Sequence, residues 1–349
     1  MEKIDIASLN LQELKEAISA LGQPNFRATQ IYKWLHSSLV TSFDEMSNLS
    51  LELRKKLDDN FVIFGCSIEK KLVSCYDNTI KYLYKLNDGE FVEAVVMEYK
   101  YGYTICISTQ VGCRMGCKFC ASTLEGCKRS LRPSELLAQV YTAQRDIGKR
   151  ISHIVLMGMG EPLDNYDNVL KFLRLVSDEN GINIGMRNIS LSTCGLVPQM
   201  YKLAQENLQL TLSVSLHAPN DDIRRRLMPV SKKWSIEELL TACRDYINTT
   251  NRRISFEYSL VSGVNDSDEC ADELAARLKG MLCHVNLIPV NEVKETDCHR
   301  SSEPRVRSFS ERLQRQGINA TVRRTLGSDI NASCGQLRRA SRSERKGSN

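Results

Sequence analysis

The sequence predicts an α/β protein: a partial, open parallel barrel of the (βα)6 type, joined to a small N-terminal helical domain and a β-extension. Strand-forming runs and amphipathic helical segments alternate from about residue 103 to residue 337, which is typical of a parallel sheet. The length of 349 residues suits a barrel with a small appendage. Six or seven strand–helix units are fewer than the eight that close a barrel, so one side should stay open to a macromolecule.

Residues 1–65 carry apolar side chains at helical spacing, beginning with Leu11, Leu14 and Ile18. They predict a small N-terminal helical accessory domain. The pattern alone fits a binding appendage and a purely structural cap equally well.

Residues 66–102 are rich in strand formers and are predicted to be a β-hairpin extension. Asn87-Asp88-Gly89 and Lys100-Tyr101-Gly102 are hairpin turn sequences. If the second turn joins adjacent antiparallel strands, Glu93 and Cys106 lie roughly opposite each other. A carboxylate and a thiol would then face one site beside the strand that leads into the barrel.

The barrel domain is predicted over residues 103–337, followed by a basic C-terminal tail over residues 338–349. The loops after parallel strands carry the chemistry of barrel enzymes, so the residues that follow each strand are the ones to inspect. After residue 130 the predicted strands are 153–157, 188–192, 210–216, 254–260, 284–289 and 320–324, and the predicted helices are 133–148, 166–177, 197–206, 236–248, 267–279 and 305–316.

Three cysteines, Cys113, Cys117 and Cys120, are spaced C-x3-C-x2-C after the first predicted barrel strand. Loops this short do not allow unstrained disulfides among them. One thiolate per iron would hold three irons of a 4Fe-4S cluster and leave the fourth open for another ligand. The rival is a structural zinc site, for which Cys127 would be the fourth ligand.

Composition limits the class of protein. Thirteen cysteines, with no secretory signal and no apolar stretch of spanning length, predict a reduced cytoplasmic protein with no membrane segment. Lys and Arg outnumber Asp and Glu by 47 to 42, which is too little to diagnose nucleic-acid binding. Local clusters such as Arg224-Arg225-Arg226 and the arginines of the tail are candidates for phosphate contacts, although a solvated face is the commoner explanation.

The cysteine spacing resembles that of the radical S-adenosylmethionine (SAM) superfamily. With the loops Met159-Gly160-Glu161-Pro162, Ser192-Thr193-Cys194-Gly195 and Ala332-Ser333-Cys334-Gly335-Gln336, the chain resembles the RlmN/Cfr family of radical SAM RNA methyltransferases from about residue 82 to residue 337. The resemblance implies cluster ligands Cys113, Cys117 and Cys120; a methylated Cys334, its resolving partner Cys106 and a proton acceptor Glu93; and SAM contacts from Gly160, Glu161, Ser192, Ser215, Leu216, His217 and Asn291.

The resemblance also implies a reaction. The loop sequences favour the branch that methylates carbon 2 of adenosine 2503 in 23S rRNA and of adenosine 37 in tRNA, using a 4Fe-4S cluster and two SAM molecules per turnover. It implies a monomer, an RNA-binding role for residues 1–65 and an electron donor such as flavodoxin or ferredoxin. Methylation at carbon 8 of the same rRNA adenosine and a non-catalytic, metal-containing RNA-binding protein stay open as alternatives.

Overall fold

A computed structural model of the chain describes residues 3–290 and 297–330, and it confirms the predicted fold class. The described strands are β1 (Ile4–Asp5), β2 (Phe61–Val62), β3 (Cys66–Val73), β4 (Ile80–Leu86), β5 (Phe91–Tyr99), β6 (Gly102–Cys106), β7 (Gln110–Gly112), β8 (Cys127–Ser130), β9 (Ile151–Leu156), β10 (Ile189–Thr193), β11 (Thr211–Ser215), β12 (Ile254–Leu260), β13 (Cys283–Pro289) and β14 (Ala320–Val322). The described helices are α1 (Leu11–Ala20), α2 (Asn25–His36), α3 (Leu51–Asn60), α4 (Pro133–Ile147), α5 (Tyr166–Val176), α6 (Val197–Gln205), α7 (Asp221–Leu227), α8 (Ile236–Thr250), α9 (Asp268–Leu278) and α10 (Glu303–Arg315).

One ten-stranded sheet organises the molecule, in the order β14-β13-β12-β11-β10-β9-β6-β5-β4-β3. The strands from β6 to β14 in that order are parallel, and β3, β4 and β5 continue the sheet in antiparallel fashion beyond β6. The described part of the sheet therefore ends at β3 and β14 and does not close. Every strand and helix predicted after residue 130 ends within two residues of its observed bound.

The two faces of the parallel strands differ in chemistry. One face carries Leu156, Leu191 and Phe256, which are fully or almost fully buried in the main hydrophobic core under the helices. The alternate residues face the other way and form the inner face of the open barrel. They are mostly polar: Ser190, Ser192, Ser213, Ser215, Ser255, Glu257 and Asn286.

The N-terminal helices pack on the barrel. Helix α1 begins with a capping box, in which the Asn10 side chain accepts hydrogen bonds from the backbone N–H groups of Gln12 and Glu13, and the Glu13 carboxylate accepts one from Asn10 N. The buried residues of α1–α3 belong to the same core cluster as those of the barrel. Polar contacts add to this interface, including an ion pair between Lys171 and Glu13 at 2.9 Å and a hydrogen bond from Tyr32 to Asp178 at 3.1 Å.

The β-extension corrects the expected placing of Glu93 opposite Cys106. Tyr99 pairs with Gly102 across the β5–β6 turn, so Cys106 lies opposite Val95. Glu93 is two residues along from Val95 and stays on the same face of the sheet, since side chains alternate with a period of two. The carboxylate and the thiol therefore share a face as diagonal neighbours.

The sequence did not predict strands β1, β2 and β3, the hairpin β7–β8 or helix α7. Strand β3 is exposed at most positions, so its sequence lacks the alternation that marks a half-buried strand, and its pairing with β4 is interrupted by an irregularity between Ile68 and Lys70. The hairpin β7–β8 encloses the cysteine loop. Helix α7 has only seven residues, too few for a clear period. Among the described helices, none has a stretch long and apolar enough to cross a bilayer.

Candidate functional site

The three predicted cluster cysteines lie on the loop between β7 and β8. Cys113 N donates to Gly126 O at 2.9 Å, which closes the base of the loop, and Lys118 N donates to Leu227 O of α7 at 2.9 Å. The Phe119 ring meets the His217 ring edge-on with 4.8 Å between centroids. The loop is thus held between its own hairpin, α7 and the end of β11.

The thiols of this loop affect one another electrostatically. Burial, together with the neighbouring thiol of Cys120, raises the pKa of Cys113 to about 12. Burial also raises the pKa of Cys117, as do Cys120 and Cys113, whereas Arg224 lowers it. Within residues 3–290 and 297–330, no group of three or more His, Cys, Asp or Glu side chains is arranged to hold a single metal ion.

Arg224 is buried, so it is removed from the candidate phosphate contacts in Arg224-Arg225-Arg226. Helix α7 turns Arg224 inward, where it is 1% exposed, and leaves Arg225 and Arg226 exposed. The guanidinium donates to the carbonyl oxygens of Cys194 at 2.8 Å, Ser215 at 3.2 Å and Leu216 at 3.2 Å. A buried cation therefore ties the ends of β10 and β11 together beside Cys117.

Gly158 and Gly160 form a tight loop after β9. A Cβ at Gly158 would lie 2.5 Å from Ile107 O, and one at Gly160, where φ is +101°, would lie 2.7 Å from Gln110 N. No other residue type fits at either position without movement of the backbone. The side chain of Gln110 accepts a hydrogen bond from Glu161 N at 3.0 Å, which ties this loop to the strand before the cysteines.

Glu161 is a buried carboxylate at the centre of the site. Its oxygens accept hydrogen bonds from Leu163 N at 3.0 Å and Cys194 N at 2.7 Å. Burial raises the pKa of Glu161, and these hydrogen bonds oppose that rise. The charge of Glu161 also raises the pKa of Cys113 and Cys117, so this carboxylate lies near the cysteine loop.

The other predicted SAM contacts follow β10 and β11. Ser192 and Ser215 are half-buried on the inner face. Leu216 is fully buried, and the His217 ring accepts a hydrogen bond at Nδ1 from Ser259 N at 2.8 Å. Burial lowers the pKa of His217 to about 3, so the ring is neutral. Glu257, which pairs in register with Ser215, is a second buried acid here that the sequence did not single out.

Glu93 is paired with a lysine that the sequence also did not single out. Lys81 Nζ lies 3.1 Å from Glu93 Oε2, and both side chains are 1% exposed. Lys81, Val95 and Cys106 lie in one row across β4, β5 and β6. Ser108 Oγ donates to the Glu93 carbonyl oxygen at 2.6 Å and accepts from Met159 N at 3.0 Å, which links this row to the glycine loop.

The segment before Cys334 reaches the same face. Leu326 packs against the small cluster of Val95, Met97 and Cys106. Farther on, Asp329 accepts hydrogen bonds from Ser74 and from the backbone of Cys75. Cys334, Asn291 and the basic tail lie outside the described residues.

The residues present fit the cluster and SAM that the sequence implies. Three thiols share one loop, and the buried Arg224 beside them makes its hydrogen bonds to backbone carbonyls, so its charge is available to an anionic group. Glu161 offers a carboxylate beside that loop for a cationic amino group.

Comparisons with known proteins show which family the chain belongs to. A model of the Radical SAM superfamily matches residues 107–275, and a model described as the ribosomal RNA large subunit methyltransferase N-terminal domain matches residues 4–63. The crystal structure of a radical SAM methyltransferase from Sphaerobacter thermophilus is 43% identical, covers 95% of this chain and 98% of that one, and superposes with a TM-score of 0.92.

Curated relatives are similar along nearly their whole length. The probable dual-specificity RNA methyltransferase RlmN of Clostridium novyi is 54% identical over 96% of this chain and 98% of its own. That of Clostridium tetani is 55% identical over 96% of both. Superfamily membership implies a 4Fe-4S cluster and SAM as cofactors. A chain that shares more than half of its residues with these relatives belongs to the RlmN family of radical SAM RNA methyltransferases.

Proposed function

We propose that this enzyme methylates carbon 2 of adenosine 2503 in 23S rRNA and of adenosine 37 in tRNA, with Cys334 as the methyl carrier. The observation that carries the proposal is the packing of Leu326 against the inner-face cluster of Val95, Met97 and Cys106. Cys334 is four residues beyond the last described residue of that segment, a span of roughly 14 Å at most. The proposal needs the thiol of Cys334 to meet Cys106, and this short span from a segment packed beside Cys106 supports it.

Carbon 2 of adenine is electrophilic and has no lone pair, so polar transfer from a sulfonium cannot methylate it. When bound, one SAM molecule would supply the methyl group of Cys334. The reduced cluster and a second SAM molecule would supply a 5′-deoxyadenosyl radical that removes a hydrogen atom from that methyl group. The methylene on Cys334 bonds to carbon 2, and Glu93 accepts the proton lost there. The thiolate of Cys106 then attacks the sulfur of Cys334, so the bond from this sulfur to the transferred carbon breaks and a disulfide forms. The released carbon takes up a proton to become the methyl group, and the surplus electron that radical addition leaves on the ring would pass to the oxidised cluster.

The same proposal assigns the rest of the chain. Residues 1–65 and the tail over 338–349 would contact RNA, residues 66–102 and 103–337 would build the site, and a monomer would be the working form. A donor such as flavodoxin or ferredoxin would reduce the cluster. Reduced thiols and RNA substrates suit a cytoplasmic location.

Mass spectrometry of nucleosides from 23S rRNA and tRNA tests the product after anaerobic reaction with reconstituted enzyme. The expected product is 2-methyladenosine together with 5′-deoxyadenosine. 8-Methyladenosine would favour the carbon 8 alternative. Stoichiometric zinc without 5′-deoxyadenosine would favour a non-catalytic RNA-binding protein.

A denaturing gel with labelled RNA tests the two isolated cysteines. Cys106→Ala should accumulate a covalent protein–RNA adduct, because nothing then attacks Cys334, and Cys334→Ala should form none. Cys243→Ala removes a thiol that is fully buried in the helical layer and is the matched control. Full activity without an adduct in both single variants would contradict the methyl-carrier mechanism.

A further inference from the structure

Three aromatic rings meet at the hairpin turn between β5 and β6. The rings of Tyr99 and Tyr101 are stacked, with 5.0 Å between centroids and 7° between planes. The His153 ring of β9 meets the Tyr101 ring at 67°, with 4.8 Å between centroids. Tyr101 is nevertheless 62% exposed, so its side chain still offers surface to a ligand. We call Tyr99, Tyr101 and His153 the aromatic platform.

The fold holds this platform in place. Gly102 follows Tyr101 with φ at +125°, and a Cβ there would collide with the hydroxyl of Ser152. Only glycine therefore lets the turn approach β9 so closely. The Ser152 hydroxyl donates to the carbonyl oxygen of Tyr103 at 3.1 Å and lies 2.8 Å from His153 Nδ1. Tyr101 and His153 are thus side by side before a ligand arrives, which lowers the entropy cost of binding.

The platform shares the inner face of the barrel with Cys106. Tyr99 and Leu326 both pack against the small cluster that contains Val95 and Cys106. Tyr99 lies four residues beyond Val95, which pairs with Cys106, and this separation is about 13 Å along the strand. An adenine that reacts beside Cys106 is therefore too far away to stack on the platform. A nucleotide next to it in the same strand is the part of the RNA that can reach this place.

Two arginines lie near the platform. Burial raises the pKa of Tyr99, whereas the charges of Arg323 and Arg324 lower it, so both charges are close to this ring. Both arginine side chains are exposed, and they precede Leu326 in the segment that packs on the same face. A guanidinium group pairs well with phosphate oxygens. Aromatic rings beside cationic side chains are what proteins use to hold single-stranded RNA, by stacking bases and contacting the backbone.

We propose that the aromatic platform stacks an unpaired base of the substrate RNA next to the target adenosine, while Arg323 and Arg324 bind the adjoining phosphates. The inference rests on the proposed function, because it needs the target adenine to lie beside Cys106. Stacking gives the strand a second fixed point on the inner face. The distance between the two points then determines which adenosine of a loop reaches the thiol.

Binding without turnover tests the stacking. The affinity of the reconstituted enzyme, without SAM, is measured by fluorescence anisotropy for an RNA stem–loop with the target adenosine in its loop. Tyr101→Ala should weaken binding about tenfold, since it removes the stacking of one base, and Tyr101→Trp should retain the affinity. Tyr101→Leu keeps apolar bulk without a ring and should match Tyr101→Ala. Tyr201→Ala removes an exposed tyrosine of α6 and is the matched control.

RNA that lacks single bases identifies the nucleotide that stacks. Abasic sites are placed one at a time at the positions beside the target adenosine. At one position, loss of the base should weaken binding to the unsubstituted enzyme about tenfold but add little to the defect of Tyr101→Ala, because both changes remove the same contact. Fully additive losses at every position overturn the proposal, as does unchanged affinity in Tyr101→Ala and Tyr101→Leu.

The arginines are tested by salt dependence. Replacing Arg323 and Arg324 together with glutamine should lower the slope of log affinity against log salt by about one or more, and an unchanged slope would remove them from the RNA contact. If the product is 8-methyladenosine, the proposed function fails while the loss of affinity in Tyr101→Ala still supports the platform. A dimer of this chain that Tyr101→Ala dissociates, with RNA affinity unchanged, would assign the platform to a second copy and overturn the proposal.

Discussion

The carboxylate of Asp329 accepts a hydrogen bond from the hydroxyl of Ser74 at 2.7 Å, although 255 positions separate them in the chain. The backbone N–H of Cys75 donates to the same carboxylate at 3.0 Å, and Asp77 accepts from Gly327 N at 2.8 Å. The turn between β3 and β4 thus fixes residues 327–329 at two points. These bonds set the place from which the chain continues to Cys334.

Release of this link should make Cys334 meet Cys106 less often. We expect Asp329→Ala to lower the equilibrium fraction of the Cys106–Cys334 disulfide in a glutathione redox buffer by several-fold, measured by mass spectrometry after alkylation. Asp58→Ala, which removes a largely exposed carboxylate on α3, is the control and should leave it unchanged. An unchanged disulfide equilibrium in Asp329→Ala would show that the link does not guide Cys334.

The same link should survive across the ordinary pH range. The Ser74 hydroxyl and then Cys75 N lower the pKa of Asp329 to about 2, from an ordinary value of 3.8. A carboxylate with a depressed pKa stabilises the folded state above its ordinary value, and that contribution is lost as the pH falls towards 2. The effect of Asp329→Ala on the disulfide should therefore not change between pH 6 and pH 8.

Loss of any one of Cys113, Cys117 and Cys120 should abolish cluster binding and RNA methylation, because one iron then lacks its thiolate. Cys127→Ala is the matched control, since Cys127 is paired with Gly112 across the hairpin that encloses the same loop. We expect near-normal iron and activity in that control. Iron content and absorbance near 400 nm check both expectations. Loss of the metal centre in Cys127→Ala would instead favour a zinc site with four thiolate ligands.

Arg224 should raise the midpoint potential of the cluster, in addition to bridging two loops. Its charge lies close enough to Cys117 to lower the pKa of that thiol, and a nearby cation favours the reduced, more negative cluster. Arg224→Met should therefore lower the midpoint potential by tens of millivolts in a spectroscopically monitored redox titration. Arg224→Lys should keep most of the potential while it loses some SAM affinity, because an ammonium group cannot span three carbonyls. Equal potentials in all three proteins would contradict the electrostatic role.

His36 should make the stability depend on pH. It is fully buried between α2 and the barrel, with Nδ1 2.9 Å from the Tyr141 hydroxyl, and burial lowers the pKa of His36 to about 4 from 6.5. The unfolded chain takes up the proton first, so folded stability should fall as the pH drops from 6.5 towards 4, by up to about 3 kcal/mol for this group. Urea unfolding at pH 7.5, 6 and 5 should show a shallower slope for His36→Gln. His217 and the other groups with shifted pKa values contribute the slope that remains, and an unchanged slope would contradict this assignment.

Much of the fold could be predicted because apolar side chains repeat with a different period in the parallel strands than in the helices that cover them. Strand β12, at Ile254–Leu260, has the same bounds as predicted. Strand β3 and helix α7 were not predicted, since the first is exposed at most positions and the second spans only two turns. Neither sequence contains a repeating pattern of apolar residues that indicates its secondary structure.

The site divides in a similar way. Cysteine spacing and the glycine loop are local in sequence, so Cys113 and Gly160 could be singled out. Arg224 and Lys81 could not be singled out, because the fold brings their partners to them. Arg224 contacts carbonyls at the ends of β10 and β11, and Lys81 contacts a carboxylate on the neighbouring strand. A run of three arginines gives no sign that the first is buried and the other two are exposed.

The exposed strand β3 has a consequence for how copies of this protein meet. An end strand offers unpaired backbone groups to which a strand of another molecule can add, and that is a common start of aggregation. Here the outer strand carries Glu69, Lys70 and Lys71 on its exposed surface, and its pairing with β4 is irregular at the same place. The charges and the irregular pairing together disfavour the addition of a further strand, so the sheet can remain open to its substrate without pairing with other copies of the protein.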